Sequence, residues 1–281
     1  MTWKNIQLPL SGDEVRQILE NCSEDALLVG GQALAIWSQV YNVLPPVELS
    51  SGISADVDFI GSAAAAKALG KALNKGGSHW TLHEADLNDS SPQTAKLSLT
   101  VKDEGYKEID FLWAIVGVDT HQAKARAVEM TLPGISRGVK IIHPLDLLAS
   151  RLHNLAGIPE KRDVQGVAQA WLALNVARAF ISQAHGALAE RDVFPFVEEI
   201  RRIALNKKLG RVYYEYGFDV LSAVPVELFK DENFLSKRWP QIQALVGEQR
   251  ESQAKLCGKY PPWPGGIHGS EDDEASHGAT R

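Results

Sequence analysis

Two aspartates one residue apart, Asp56 and Asp58, lie in the run Ala55-Asp56-Val57-Asp58-Phe59-Ile60, and a third, Asp110, interrupts the apolar run Ile109-Asp110-Phe111-Leu112. Both runs have strand character. Successive side chains on a strand alternate faces, so Asp56, Asp58 and Ile60 share one face while Ala55, Val57 and Phe59 share the other. In the second run Ile109, Phe111 and Trp113 form the apolar face and leave Glu108 and Asp110 opposite. If the two strands pair side by side, three carboxylates converge. Such a cluster repels itself and is costly to bury without a cation. Mg²⁺ suits it, being a hard ion that takes oxygen ligands and completes its shell with water and substrate phosphates. Two such ions, about 4 Å apart, would suit an in-line displacement at phosphorus.

A lone D-x-D also describes the polar face of an edge strand. Its context changes the reading. Upstream, the short apolar run Ala26-Leu27-Leu28-Val29 stops at Gly30-Gly31, after which Ala33, Leu34, Ile36 and Trp37 follow at helical spacing to about Tyr41. This predicts a strand, a glycine turn and a helix whose first amides face an anion, with glycine allowing close backbone approach. The spacing is neither that of a P-loop nor that of a dinucleotide-binding G-x-G-x-x-G.

The remaining elements must position these residues. Ser11-Gly12-Asp13-Glu14 has the form of a capping box and opens a helix over about 12–21. Residues 42–54 read as a loop, and 63–74 as a helix closed by Gly76-Gly77. Strands are expected at about 79–83, 94–102 and 106–113, the last two joined by Asp103-Glu104-Gly105, then a helix over 119–128 and a short strand at 139–142. From His143-Pro144 onward the period is helical, over about 144–156, 160–183, 187–205 and 225–247. A boundary is therefore placed near 143. This divides the chain into an α/β domain (1–143), a helical domain (144–257) and a Pro- and Gly-rich, then acidic, tail (258–281) with the composition of disorder.

The ordered set Leu28-Val29-Gly30-Gly31-Gln32-Ala33-Leu34, Asp56-Val57-Asp58-Phe59 and Ile109-Asp110-Phe111-Leu112 resembles the DNA polymerase-β-like nucleotidyltransferase superfamily. That superfamily combines a Gly-Gly or Gly-Ser turn, a D-x-D and a third acidic residue on a neighbouring strand. Within it, His143-Pro144-Leu145-Asp146-Leu147-Leu148-Ala149-Ser150-Arg151 and Lys161-Arg162-Asp163 look like the "P-x-D-L-L-A-x-K/R" helix and later "R-D" motif of AbiEii-type toxins of abortive-infection and toxin–antitoxin systems. The likeness spans about residues 26–175. It implies a nucleotidyltransferase-type mixed sheet flanked by helices and followed by an α-helical domain. It further implies that Gly30 and Gly31 hold nucleotide phosphates and that Asp56, Asp58 and Asp110 are catalytic ligands of two Mg²⁺. The implied activity moves an NMP from an NTP to an acceptor hydroxyl of tRNA, a protein or a small molecule, with an antitoxin as a further partner.

Two departures stand out. Gly31 and Asp56 are 25 positions apart, longer than the family's usual spacing, and Gly52-Ile53-Ser54 replaces the Arg-x-Thr that often precedes D-x-D. Arg151 stands where many relatives have Lys, so it can clamp phosphate but cannot act as a titrating base. Arg151, Lys161 and Asp163 are the candidate nucleotide contacts on the helical side, with Arg162 beside them; a solvated basic helix face with Asp163 as an intrahelical partner explains the same residues. His143 reads as a structural turn residue, while His153 is ambiguous. Trp37, Trp113 and Trp171 read as core, and Tyr213, Tyr214 and Tyr216 as a helix end packing on the sheet domain, with base stacking as the rival.

The net charge of −6 gives no global attraction to nucleic acid or an anionic membrane. Cys22 and Cys257 lack metal-ligand spacing, no apolar run reaches bilayer length and the start lacks a signal-peptide core, so a reducing cytoplasm is expected. A non-catalytic nucleotide-sensing module of the same fold is the competing class.

Overall fold

The computed structural model describes residues 6–86 and 91–257. Helix α1 (Gly12–Asn21) starts where the Ser11 hydroxyl accepts from the Glu14 amide while the Glu14 carboxylate accepts from the Ser11 amide, so the expected capping box is formed. Strand β1 (Leu27–Val29) runs directly into α2 (Gly30–Val40). The following loop carries a 3₁₀ turn at Val47–Leu49 and delivers β2 (Val57–Ile60), after which come α3 (Ala63–Lys75), β3 (Thr81–Glu84), β4 (Gln93–Val101) and β5 (Gly105–Leu112). A short α4 (Thr120–Ala125) leads to β6 (Val128–Thr131) and β7 (Gly138–Ile141). Beyond β7 the chain is helical: α5 (Pro144–Gly157), α6 (Val164–Ala187), α7 (Glu190–Ala204), α8 (Gly210–Tyr216) and α9 (Trp239–Cys257), linked by short 3₁₀ and π turns. The tail expected to be disordered lies outside the described residues.

The described strands form one mixed sheet in the order β3-β4-β5-β2-β1-β7-β6. β2 pairs with β5 in parallel and with β1 antiparallel, and β1 continues in parallel to β7. β1 is therefore an interior strand. Its three residues are all buried, which explains a continuous apolar run with no alternation. On β2 and β5 the apolar faces meet instead, with Phe59 and Phe111 in register and their rings stacked at 5.3 Å. α5 is buried along most of its length and packs against α6, so even Asp146, Ser150, Arg151 and His153 lie inside.

Four expectations need correction. The helix expected to reach 128 stops at Ala125, and Val128-Glu129-Met130-Thr131 instead alternates half-buried and exposed residues as an edge strand on β7. Four residues cannot display enough period to separate the two readings. The single helix expected over 225–247 is broken. A 3₁₀ turn at Val226–Leu228 ends, Asp231 caps a new start by accepting from the Phe234 amide, and a π turn at Phe234–Arg238 precedes α9. The helix expected from 160 begins as a 3₁₀ turn at Pro159–Lys161, and α6 starts only after Asp163. Finally, Trp113 is 63% exposed. β5 ends at Leu112 and the Trp113 amide turns to donate to the Pro92 carbonyl, so the alternation that would bury the ring has already stopped.

Candidate active site

The parallel pairing of β2 with β5 makes Asp58 and Asp110 direct register partners. Asp56 lies one residue before β2, in a bend rather than on the strand. Even so, one carboxylate oxygen from each of Asp56, Asp58 and Asp110 lies within 4.8 Å of the others.

On the other side of β2, Val29 is the register partner of Asp58, and the chain turns immediately at Gly30. Gly30 has φ +70°, and a Cβ there would stand 1.8 Å from Asp58 Oδ2. Glycine is thus required both for its conformation and for the space that brings the backbone against the carboxylate. Gly31 is equally tight: its Cβ would meet Ser54 Cβ at 2.3 Å. Ser54 in turn donates from Oγ to Asp56 Oδ1 at 2.6 Å. The turn, the loop before the first aspartate and the carboxylates therefore pack as one piece.

Strand β4 supports the third carboxylate. Gln93 Nε2 donates to Asp110 Oδ1 at 2.6 Å, while Lys96 Nζ lies 2.9 Å from Glu108 Oε1 and 3.8 Å from Asp110 Oδ1. From the helical side α5 brings Arg151, only 8% exposed. Its NH1 donates to Gln169 Oε1 at 2.9 Å, and its Nε and NH2 are buried with no hydrogen-bond partner among the described residues. Burial pushes the Arg151 pKa down, and Asp58 and Asp56 pull it back up, so the guanidinium senses these two carboxylates.

The carboxylates are poorly compensated. Burial first, then the charges of Asp56 and Asp110, push Asp58 up to about 7 against the smaller opposing pull of Arg151 and Lys161. Asp110 is pushed up to about 6, again by burial first and by Glu108 and Asp56, with Lys96 and the Gln93 hydrogen bond acting against the rise. Partly buried carboxylates held this close, with Asp58 and Asp110 reluctant to ionise, fit a bound divalent cation. Three oxygen donors with no nitrogen or sulfur among them match the preference of Mg²⁺.

Comparison with known proteins adds little. No family model and no curated protein matches the chain. Among solved structures, a Megavirus polyadenylate synthase is similar over 60% of this chain and 35% of its own, at 13% identity and a TM-score of 0.36. Likeness at this level assigns neither substrate nor activity.

Other residues singled out in the sequence take up varied places. Lys161, in the 3₁₀ turn before α6, acts on the carboxylates through its charge on Asp58. Asp163 caps α6, accepting from the Gly166 amide at 2.7 Å, and Arg162 donates to the Leu155 and Ala156 carbonyls near the end of α5. His143 caps α5 through Nδ1, and burial, with Arg126 adding to it, pushes its pKa down to about 3, as befits a structural residue. His153 Nε2 lies 3.2 Å from the Asn206 amide nitrogen. Trp37 is core and bonds the Ile142 carbonyl, Trp171 packs on Phe218, and Tyr213 lies under the Arg250 guanidinium.

Four polar residues at the carboxylates escape sequence reasoning: Ser54, Gln93, Lys96 and Gln169. Ser54 alone had a local signal, since it stands two residues before Asp56. Gln93 and Lys96 become visible only through the β4–β5 register, and Gln169 only through the packing of α6 on α5.

Proposed function

We propose that the protein is a Mg²⁺-dependent nucleotidyltransferase that moves an NMP from an NTP to an acceptor hydroxyl. The observation that carries this reading is the approach of Asp56, Asp58 and Asp110 to within 4.8 Å of one another directly beside the Gly30 turn. Asp56, Asp58 and Asp110 would hold the ion, which when bound neutralises charge at phosphorus and makes the attacking hydroxyl more acidic. Gly30 and Gly31 let the start of α2 pack against Asp58 and Ser54, so that its first amides would face the phosphates from beside the carboxylates. Arg151 meets phosphate from the helical side with its two uncommitted nitrogens, Nε and NH2, a role in which a fixed planar cation is well suited. Lys161 adds charge there, while Asp163 supports the site by holding the start of α6. Ser54 and Gln93 orient the outer two carboxylates. In the reaction the acceptor oxygen bonds to the α-phosphorus, the bond to pyrophosphate breaks, and the hydroxyl proton passes to solvent water.

The AbiEii-like helix motif favours a macromolecular acceptor, tRNA or protein, and a toxin paired with an antitoxin. A small-molecule acceptor is the alternative within the same chemistry. Melting with Mg²⁺ and each NTP tests the binding site, because a ligand that binds only the folded state raises the melting temperature. Incubation with labelled NTPs and total cellular RNA or lysate then tests transfer. Label is expected on one acceptor class and is expected to vanish in Asp58→Asn. Labelling that persists in both Asp56→Asn and Asp58→Asn, or no stabilisation by Mg²⁺ with any NTP, refutes the proposal.

A further inference from the structure

Gln169 lies on α6, away from the carboxylates in sequence, and is 8% exposed. Its side-chain oxygen accepts from Arg151 NH1 at 2.9 Å, and its side-chain nitrogen donates to the Ile53 carbonyl at 2.6 Å. These bonds leave the amide one orientation, because a guanidinium can only donate and a carbonyl can only accept. Ile53 precedes Ser54, which holds Asp56 and lies against Gly31. One side chain on the helical part thus joins the buried cation of α5 to the backbone that leads into the first aspartate. Gln165 Nε2 also reaches the Ile53 carbonyl, but at 3.4 Å and from an exposed position.

We infer that Gln169 is a positioning residue, which aims Arg151 at the carboxylates and pins the 53–54 backbone so that the phosphate-facing cation and the first aspartate keep a fixed relation. This deepens the nucleotidyltransferase reading and rests on it for its effect on nucleotide. The bond to NH1 leaves Nε and NH2, both buried and without a hydrogen-bond partner among the described residues, for an anion. Gln169 thus ties the basic group of α5 to the loop that leads into Asp56.

The test uses the full chain with Gln169→Leu, which removes both bonds at similar volume, and Gln169→Glu, which keeps an acceptor for Arg151 but loses the donor to Ile53. Gln165→Leu serves as the comparison. Backbone hydrogen exchange over residues 50–56 is read first, and it needs no nucleotide. Exchange there is expected to speed up about tenfold or more in both Gln169 variants, and less in Gln165→Leu, as follows from loss of a buried bond. Affinity for Mg²⁺ with each NTP is read second, alongside Mn²⁺ alone. Gln169→Leu is expected to weaken nucleotide about tenfold, to leave Mn²⁺ binding nearly unchanged, and to add no loss when combined with Arg151→Met. Unchanged exchange over 50–56 in a folded Gln169 variant overturns the inference, as does an additive loss in the double variant. If Gln169→Leu fails to fold, the same readings on Gln169→Glu decide. If the native protein binds no nucleotide, the nucleotidyltransferase reading falls, and the exchange result by itself upholds or overturns the positioning role.

Discussion

Replacing Asp58 by Asn probes the carboxylate cluster in the metal-free state, where stability and chemistry pull in opposite directions. Asp58 ionises in the folded protein only near pH 7, against an ordinary value of 3.8. A carboxyl whose folded pKa is raised contributes stability that is fully present below about pH 4 and is lost as pH rises through about 7. The whole shift corresponds to ~4 kcal/mol. Asp58 keeps some contact with solvent, and screening reduces this to ~1–3 kcal/mol. An amide has the same shape and no charge, so in chelator at pH 8 Asp58→Asn is expected to melt higher than the native protein, by roughly 3–8 °C for a chain of this size. At pH 5 the native carboxyl is protonated but the unfolded one is already ionised, so the difference should fall to under half of its pH 8 value, and it should vanish only below about pH 4. Mg²⁺ at a concentration that saturates the native protein should then reverse the order at pH 8 by stabilising it more than the variant. Thermal melts at the two pH values, with chelator and with Mg²⁺, provide the measurement. If Asp58→Asn melts below the native protein at pH 8 in chelator, the carboxylates are already compensated without an ion and the electrostatic reasoning is wrong.

Three other perturbations follow from the same geometry. Gly30→Ala forces an alanine to φ +70° and sets a methyl 1.8 Å from Asp58 Oδ2; it should cost ~1–2 kcal/mol of stability and weaken Mg²⁺ at least tenfold by calorimetry, and unchanged Mg²⁺ affinity would refute the packing argument. Arg151→Met should largely abolish stabilisation by NTP while Mg²⁺ alone still binds, as read by melting; loss of both would mean that Arg151 holds the carboxylates rather than the phosphate. Because Asp58 and Asp110 titrate at about 7 and about 6 and must lose protons to bind an ion, Mg²⁺ affinity should climb steeply from pH 5 to pH 8, and a flat calorimetric profile over that range would count against their being ligands.

Much of the sheet was legible because its local signals agree. A buried apolar run before two glycines can hardly be anything but a strand and a turn, and the Ser11 box and the alternation around Asp110 each leave one sensible reading. Failures came where tertiary contacts decide. Val128–Thr131 became a strand through pairing with β7, the region after Pro225 broke up around the Asp231 cap, and Trp113 emerged into solvent because the strand stopped one residue short. The meeting of the aspartates could be anticipated from strand alternation, although Asp56 reaches the cluster from a bend rather than from the strand itself. What holds them could not. Gln93, Lys96 and Gln169 are ordinary polar residues in sequence and take on roles only when β4 lies beside β5 and α6 against α5.

That support is uneven, and the unevenness ranks the three ligands. Asp56 receives the Ser54 hydroxyl and Asp110 receives Gln93, with Lys96 nearby. Among the described residues no hydrogen bond reaches the Asp58 carboxylate, which relies on the charges of Arg151 and Lys161 against those of its two neighbours. A bound cation therefore relieves more unfavourable electrostatics at Asp58 than at either neighbour. At pH 8, above the values of both Asp58 and Asp110, Asp58→Asn should accordingly weaken Mg²⁺ more than Asp110→Asn does, by about tenfold for each 1.4 kcal/mol of relief. Calorimetric titration of the two variants at pH 8 decides it. Equal losses would mean that the ion is shared evenly among the three, and that the protein's hydrogen bonds to Asp56 and Asp110 set geometry without setting affinity.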